Sequence, residues 1–133
     1  MKGHGVDRTL LVVDDHHGVA AAIAHLVAAD GWDPMHLADS HRSALELAAR
    51  HRPDLITVDL TLGDEDGLDL LVRLREQHPH LPLVVITASG TADRAVACLK
   101  AGATGFIPKS TEPDDLVAAL RARSTATPGY PSP

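Results

Sequence analysis

The sequence predicts an α/β fold built on a parallel sheet, and three observations point there. Short, continuous apolar runs read as strands buried on both faces, and each ends in a reactive residue: Leu10-Leu11-Val12-Val13 in Asp14 and Asp15, Leu55-Ile56-Thr57-Val58 in Asp59, Gly105-Phe106-Ile107-Pro108 in Lys109. Between the runs lie segments with apolar residues at helical spacing, and strict alternation of the two implies parallel strands joined by right-handed helical crossovers. Composition agrees: 44% of the 133 residues are apolar, yet the chain has only one Trp, one Phe and one Tyr (Trp32, Phe106, Tyr130), so the core must be Leu, Val, Ile and Ala. The length suits one domain with a full core.

The first strand leads to a helix with Val19, Ile23, Leu26 and Val27 on its inner face, stopping at Gly31. Pro34 to Ala38 is a short second strand. A helix led by Asp39 or Ser40 then carries Leu45, Leu47 and Ala48 until Pro53. After the third strand, a polar loop, Gly63-Asp64-Glu65-Asp66-Gly67, leads to a helix with Leu68, Leu71, Val72 and Leu74, ended by Pro79. The fourth strand, Leu81 to Thr87, has the purest apolar run, Leu83-Val84-Val85-Ile86, which predicts a central place in the sheet. A fourth helix spans about Ala92 to Lys100, with Gly102 placed for a left-handed cap. The fifth strand is Gly105 to Pro108, and the last helix opens at Thr111-x-x-Asp114, a pattern like a capping box, and runs to about Arg123. Residues 1–7 read as a flexible N-terminus. Residues 124–133, without charge or a large aliphatic group, read as a disordered tail or the start of a linker.

Several classes of function are disfavoured. The net charge is -6, and no basic stripe with interleaved aromatics occurs, so direct nucleic-acid binding is not expected. The first residues carry no apolar signal core and no run approaches 18 apolar residues, which predicts a cytoplasmic protein without a membrane span. Cys98, alone in a helical pattern, reads as a small buried hydrophobe. The nine histidines show no His-x3-His or Cys/His pattern of structural zinc. An EF-hand starting at Asp64 would need glycine where Asp69 stands.

In an open parallel sheet ligands bind outside the carboxyl ends of the strands, so Asp14, Asp15, Asp59 and Lys109 should converge at one edge. Two carboxylates about 5 Å apart repel by roughly 3 kcal/mol at an effective dielectric near 20. Such a cluster calls for a cation. Three acids against Lys109 leave two negative charges, which one divalent ion, Mg2+ by its preference for oxygen, would balance. Thr87-Ala88-Ser89-Gly90 adds a hydroxyl on a small-residue turn at a helix start, where backbone amides favour anions. A carboxylate nucleophile, a lysine, a hydroxyl and acids for a metal together suit phosphoryl transfer to an aspartate.

With these residues in place, the chain over 8–123 resembles a response-regulator receiver domain, the NarL/LuxR type most of all, since His16 follows the acidic pair and Gly-Ala-Thr-Gly-Phe-Ile-Pro-Lys stands at 102–109. The resemblance implies a flavodoxin-like doubly wound sheet of order 2-1-3-4-5 with five helices. It implies that Asp59 is the phosphoacceptor, that Asp14, Asp15, Asp59 and the backbone carbonyl of Thr61 hold Mg2+, that Thr87 and Lys109 bind the phosphoryl group, that Ala88 lines the site, and that Phe106 with Thr87 forms a switch. The donor would be a histidine kinase or phosphotransfer protein, and the response a switched partner, a homodimer or a C-terminal transcriptional output. Such a chain is not a conventional enzyme, although it assists its own phosphorylation and dephosphorylation. Leu62-Gly63 stands where the family commonly has Met-Pro. The rival reading, a Mg2+-dependent phosphatase or phosphotransferase of haloacid-dehalogenase type, needs a second Asp two residues after the nucleophile, and Thr61 stands there.

Overall fold

The computed structural model describes residues 8–62, 65–88 and 91–123. Its elements are β1 (Arg8–Val13), α1 (His17–Ala29), β2 (Trp32–Ala38), α2 (His41–His51), β3 (Leu55–Val58), β4 (Thr61–Leu62), β5 (Glu65–Asp66), α3 (Gly67–Gln77), β6 (Leu83–Thr87), α4 (Ala92–Ala101), β7 (Gly105–Pro108) and α5 (Pro113–Arg123). The main sheet is parallel with order β2-β1-β3-β6-β7. This is the expected 2-1-3-4-5 once the two-residue strands β4 and β5, which pair with each other, are set aside.

The period of two along each strand sorts the core into two layers. Leu10, Val12, Leu55, Val84, Ile86 and Ile107 face α1 and α5, meeting Ala20, Ile23, Val27, Leu116 and Leu120. Leu11, Val13, Ile56, Val58, Leu83 and Val85 face the other way, onto Ala44 and Ala48 of α2, Leu70, Leu71 and Leu74 of α3, and Cys98 of α4. Each fully buried aliphatic side chain contributes about 1.5–3 kcal/mol, so the two layers hold the strand ends rigidly. Among the described residues no helix is long and apolar enough to cross a membrane.

Several expectations shift in detail. β3, not β6, is the middle strand; both are interior, and an unbroken apolar run reports burial on two faces rather than rank in the sheet. β2 starts two residues early, because Trp32 pairs with Arg8, and its register slips between Leu10 and Leu11, opposite Pro34 and His36. A proline lacks the ladder donor, and this edge strand tolerates it. In α1 and α3 the buried stripes are Ala20/Ile23/Val27 and Leu70/Leu71/Leu74, leaving Val19 and Val72 exposed. The loop after β3 is a small hairpin in which Asp66 caps α3, accepting from Leu68 N at 3.0 Å. Ser40 caps α2 through a reciprocal bond pair with Ser43. Thr111, by contrast, lies two residues ahead of α5, which opens on Pro113, a residue preorganised for the first helical position. Residues 1–7 and 124–133, and the Gly63-Asp64 and Ser89-Gly90 parts of the expected loops, lie outside the described residues.

Candidate functional site

β1, β3, β6 and β7 all end at one edge of the sheet, and their last ladder bonds fix the residues that follow. Asp14 N donates to Ala38 O at 2.9 Å, Asp59 N to Val13 O at 2.9 Å and Lys109 N to Thr87 O at 2.9 Å. Each reactive side chain is thus held by the strand beside its own. Asp14 and Asp59 are 2% and 3% exposed, a depth at which a carboxylate requires a partner.

Lys109 supplies it. Nζ donates to Asp59 Oδ2 at 2.8 Å and lies 3.0 Å from Asp14 Oδ2. Burial alone would lower the lysine pKa, but the bonds and charges of Asp59 and Asp14 outweigh it and hold the ammonium above its ordinary value. The other Asp59 oxygen, Oδ1, accepts from Thr61 N at 3.1 Å. That bond fixes the turn after β3, and Gly67 closes it from the far side: Gly67 N donates to Leu60 O at 3.0 Å, and a Cβ on Gly67 would stand 2.5 Å from Leu60 Cα.

The remaining expected site residues fall around this pair. Asp15 is less buried than Asp14 and stands at the mouth of the cluster. Thr87 is 1% exposed at the end of β6, with Ala88 exposed beside it. Phe106, on β7, is half-buried against the layer that α2, α3 and α4 cover.

The donor set fits a divalent cation. One ligand atom from each of Asp14, Asp15, His16 and Asp59 lies within 4.8 Å of the others, and after Lys109 is counted the acids retain excess negative charge. The N-terminus of α1, the positive end of its dipole, opens directly behind Asp14 and Asp15 and tempers that excess. His16 joins the acids unexpectedly. The sequence sets His16-His17 aside as a metal signal for want of a His-x3-His or Cys/His pattern, and adjacency to two acids offers no spacing of its own to read.

Comparison with known proteins decides the family. The sequence model of the response regulator receiver domain matches residues 10–121, most of the chain. The chain belongs to this family. Over 121 residues the receiver is 34% identical to the probable transcriptional regulatory protein TcrX of Mycobacterium tuberculosis, covering 91% of this chain and 51% of TcrX. It is 35% identical over 127 residues to the photosynthetic apparatus regulatory protein RegA of Rhodovulum sulfidophilum, covering 96% and 69%. The receiver therefore spans about half the length of TcrX. In three dimensions it resembles a LuxR-family response regulator from Aurantimonas (TM-score 0.85, 26% identity, 90% of this chain and 86% of that one). The beryllofluoride-activated receiver of RstA from Klebsiella pneumoniae is similarly close (TM-score 0.82, 30% identity, 89% and 99%).

Proposed function

We propose that this receiver accepts a phosphoryl group on Asp59 from a histidine kinase or phosphotransfer protein and relays the change to an output. The observation that carries this reading is the buried Asp59 carboxylate clamped between Lys109 Nζ and Thr61 N at the carboxyl edge of the sheet. Both contacts fix the orientation of the nucleophile, so that little ordering is needed when a phosphodonor arrives. An Asp59 oxygen forms the new bond to phosphorus as the bond to the donor's leaving group breaks, giving an acyl phosphate. Lys109, already cationic, then faces the phosphoryl oxygens, and the Thr87 hydroxyl donates to one of them, while Ala88 leaves room beside it.

Asp14, Asp15, Asp59 and the Thr61 carbonyl are the residues that would hold Mg2+. When bound, the ion supplies charge neutralisation between carboxylate and phosphoryl oxygens. Once Thr87 is drawn toward the phosphoryl group, Phe106 changes its packing on β7, and the surface of α4, β7 and α5 carries the signal. The names of relatives such as TcrX, a probable transcriptional regulatory protein, support a transcriptional output.

Beryllofluoride, a phosphoryl mimic, tests the site. With Mg2+ it should raise the melting temperature of the wild type and leave Asp59→Asn unchanged; equal stabilisation of both would place the mimic elsewhere.

A further inference from the structure

His16 occupies the N-cap of α1, where Ser, Thr, Asp and Asn are favoured, and its side chain makes no capping bond. The ring turns back toward the acids instead. Nδ1 lies 3.2 Å from Asp14 Oδ1, 3.2 Å from Asp15 Oδ1 and 3.7 Å from Asp59 Oδ2. We propose that His16 is a protein ligand of the ion site, so that this receiver takes ions that favour imidazole nitrogen, Ni2+ foremost, more readily than a carboxylate-only site would. The inference rests on the proposed metal role of Asp14, Asp15 and Asp59.

Two lines of chemistry support it. Around a six-coordinate ion with bonds of about 2.1 Å, adjacent ligand atoms stand about 3.0 Å apart and opposite ones about 4.2 Å. The three distances from Nδ1 fall in that interval, so the ring nitrogen needs shifts of only tenths of an ångström to become a neighbour of each acid around a shared ion. With no ion bound, Nδ1 donates to Asp14 Oδ1 at 3.2 Å; an ion entering between them takes the place of that proton, which sits on Nε2 in the other neutral tautomer, and nitrogen donors raise affinity for Co2+, Ni2+ and Zn2+ far more than for Mg2+, which prefers oxygen. The backbone adds precision: His16 N donates to Asp14 Oδ1 at 2.8 Å, so the residue that would bring the nitrogen also orients one of the carboxylates. The ring is 59% exposed, which leaves the ion a route from solvent and means that replacing the side chain disturbs no core packing.

The test is calorimetric titration of the whole chain with Ni2+ and, separately, Mg2+, for wild type, His16→Asn and a double variant, Asp15→Ala with His16→Asn. The double variant lacks two of the proposed ligands and reports the Ni2+ held by the other histidines, which is subtracted as background. The expected result is a loss of about tenfold or more in Ni2+ affinity in His16→Asn, with Mg2+ affinity changed less than about twofold. Electron spin-echo spectra of the Mn2+-loaded wild type should also show an imidazole nitrogen coupling that His16→Asn lacks. Unchanged Ni2+ affinity in His16→Asn would overturn the proposal. So would tighter Mg2+ binding in that variant, which would mark His16 as a cation filling the ion's place. A wild type that binds no Mg2+ would overturn the metal reading itself, and this proposal with it.

Discussion

At the scale of single residues, Lys109 decides whether two buried carboxylates are tolerable. Its ammonium pKa is held above the ordinary 10.5 by Asp59 and Asp14, acting against burial. A raised folded-state pKa stabilises the fold fully below the unfolded value, and that contribution disappears as pH climbs through the folded value. In Lys109→Met the acids lose their cation, and the expected cost without metal is on the order of 3 kcal/mol at neutral pH. The gap in unfolding free energy between wild type and variant should narrow as pH rises above 10.5; urea titrations across that range measure it, and a constant gap would show that Lys109 is not the compensating charge. Asp15→Ala should lose Mg2+-dependent thermal stabilisation while gaining slightly without metal, because one repulsion among the acids is relieved. Melting curves with and without Mg2+ check both halves. The reactive residues were legible because strand ends are legible: an apolar run that stops at a charge places that charge at the sheet edge. The place of His16 among the acids was not, since it arises from the way the chain turns into α1.

At the scale of elements, a local signal sets the structure where one residue chooses it and gives way where two compete. Of the two cap residues the sequence offers for α2, Asp39 and Ser40, Ser40 is the one used, and Gly102, at φ +121°, ends α4. At α5 a capping pattern at Thr111 competed with Pro113, and the proline's fixed φ prevailed. The buried stripes of α1 and α3 were displaced because small or branched residues share both faces, and only contact with the sheet selects one. The tie between α3 and the turn before β7 could not be foreseen: Arg75 donates to Gly102 O through Nε at 3.1 Å and through a terminal nitrogen at 2.6 Å, and to His78 O at 2.8 Å. Removing it in Arg75→Ala should cost about 1–3 kcal/mol, because partly buried carbonyls lose a charged donor. Gly67→Ala should cost a comparable amount for a steric reason, its Cβ meeting the Leu60 backbone, and should also disturb the turn that aims Asp59. Chemical denaturation of both variants checks these values; a neutral Gly67→Ala would mean that the turn after β3 is softer than its contacts imply.

At the scale of the molecule, the pinned sheet edge and the face proposed to carry the signal belong to different parts of one chain. The edge residues are pinned by ladder bonds, whereas α4 exposes Val96 and Leu99, half out of the protein, on the side proposed to respond. Moving such a surface from mostly inactive to mostly active requires several kcal/mol of differential stabilisation, which a new dianion facing Lys109 and Thr87 is placed to supply. Hydrogen exchange with and without beryllofluoride should change over residues 91–120 and hardly at all in β1 and β3. Trp32, buried on β2 beneath the Arg8 guanidinium, lies on the opposite edge strand and should report little by fluorescence. The central claim, that Asp59 receives the phosphoryl group, is tested most directly by intact mass after incubation with Mg2+ and acetyl phosphate. The wild type should gain one phosphoryl group and Asp59→Asn none; equal uptake by the two proteins would contradict the assignment of Asp59.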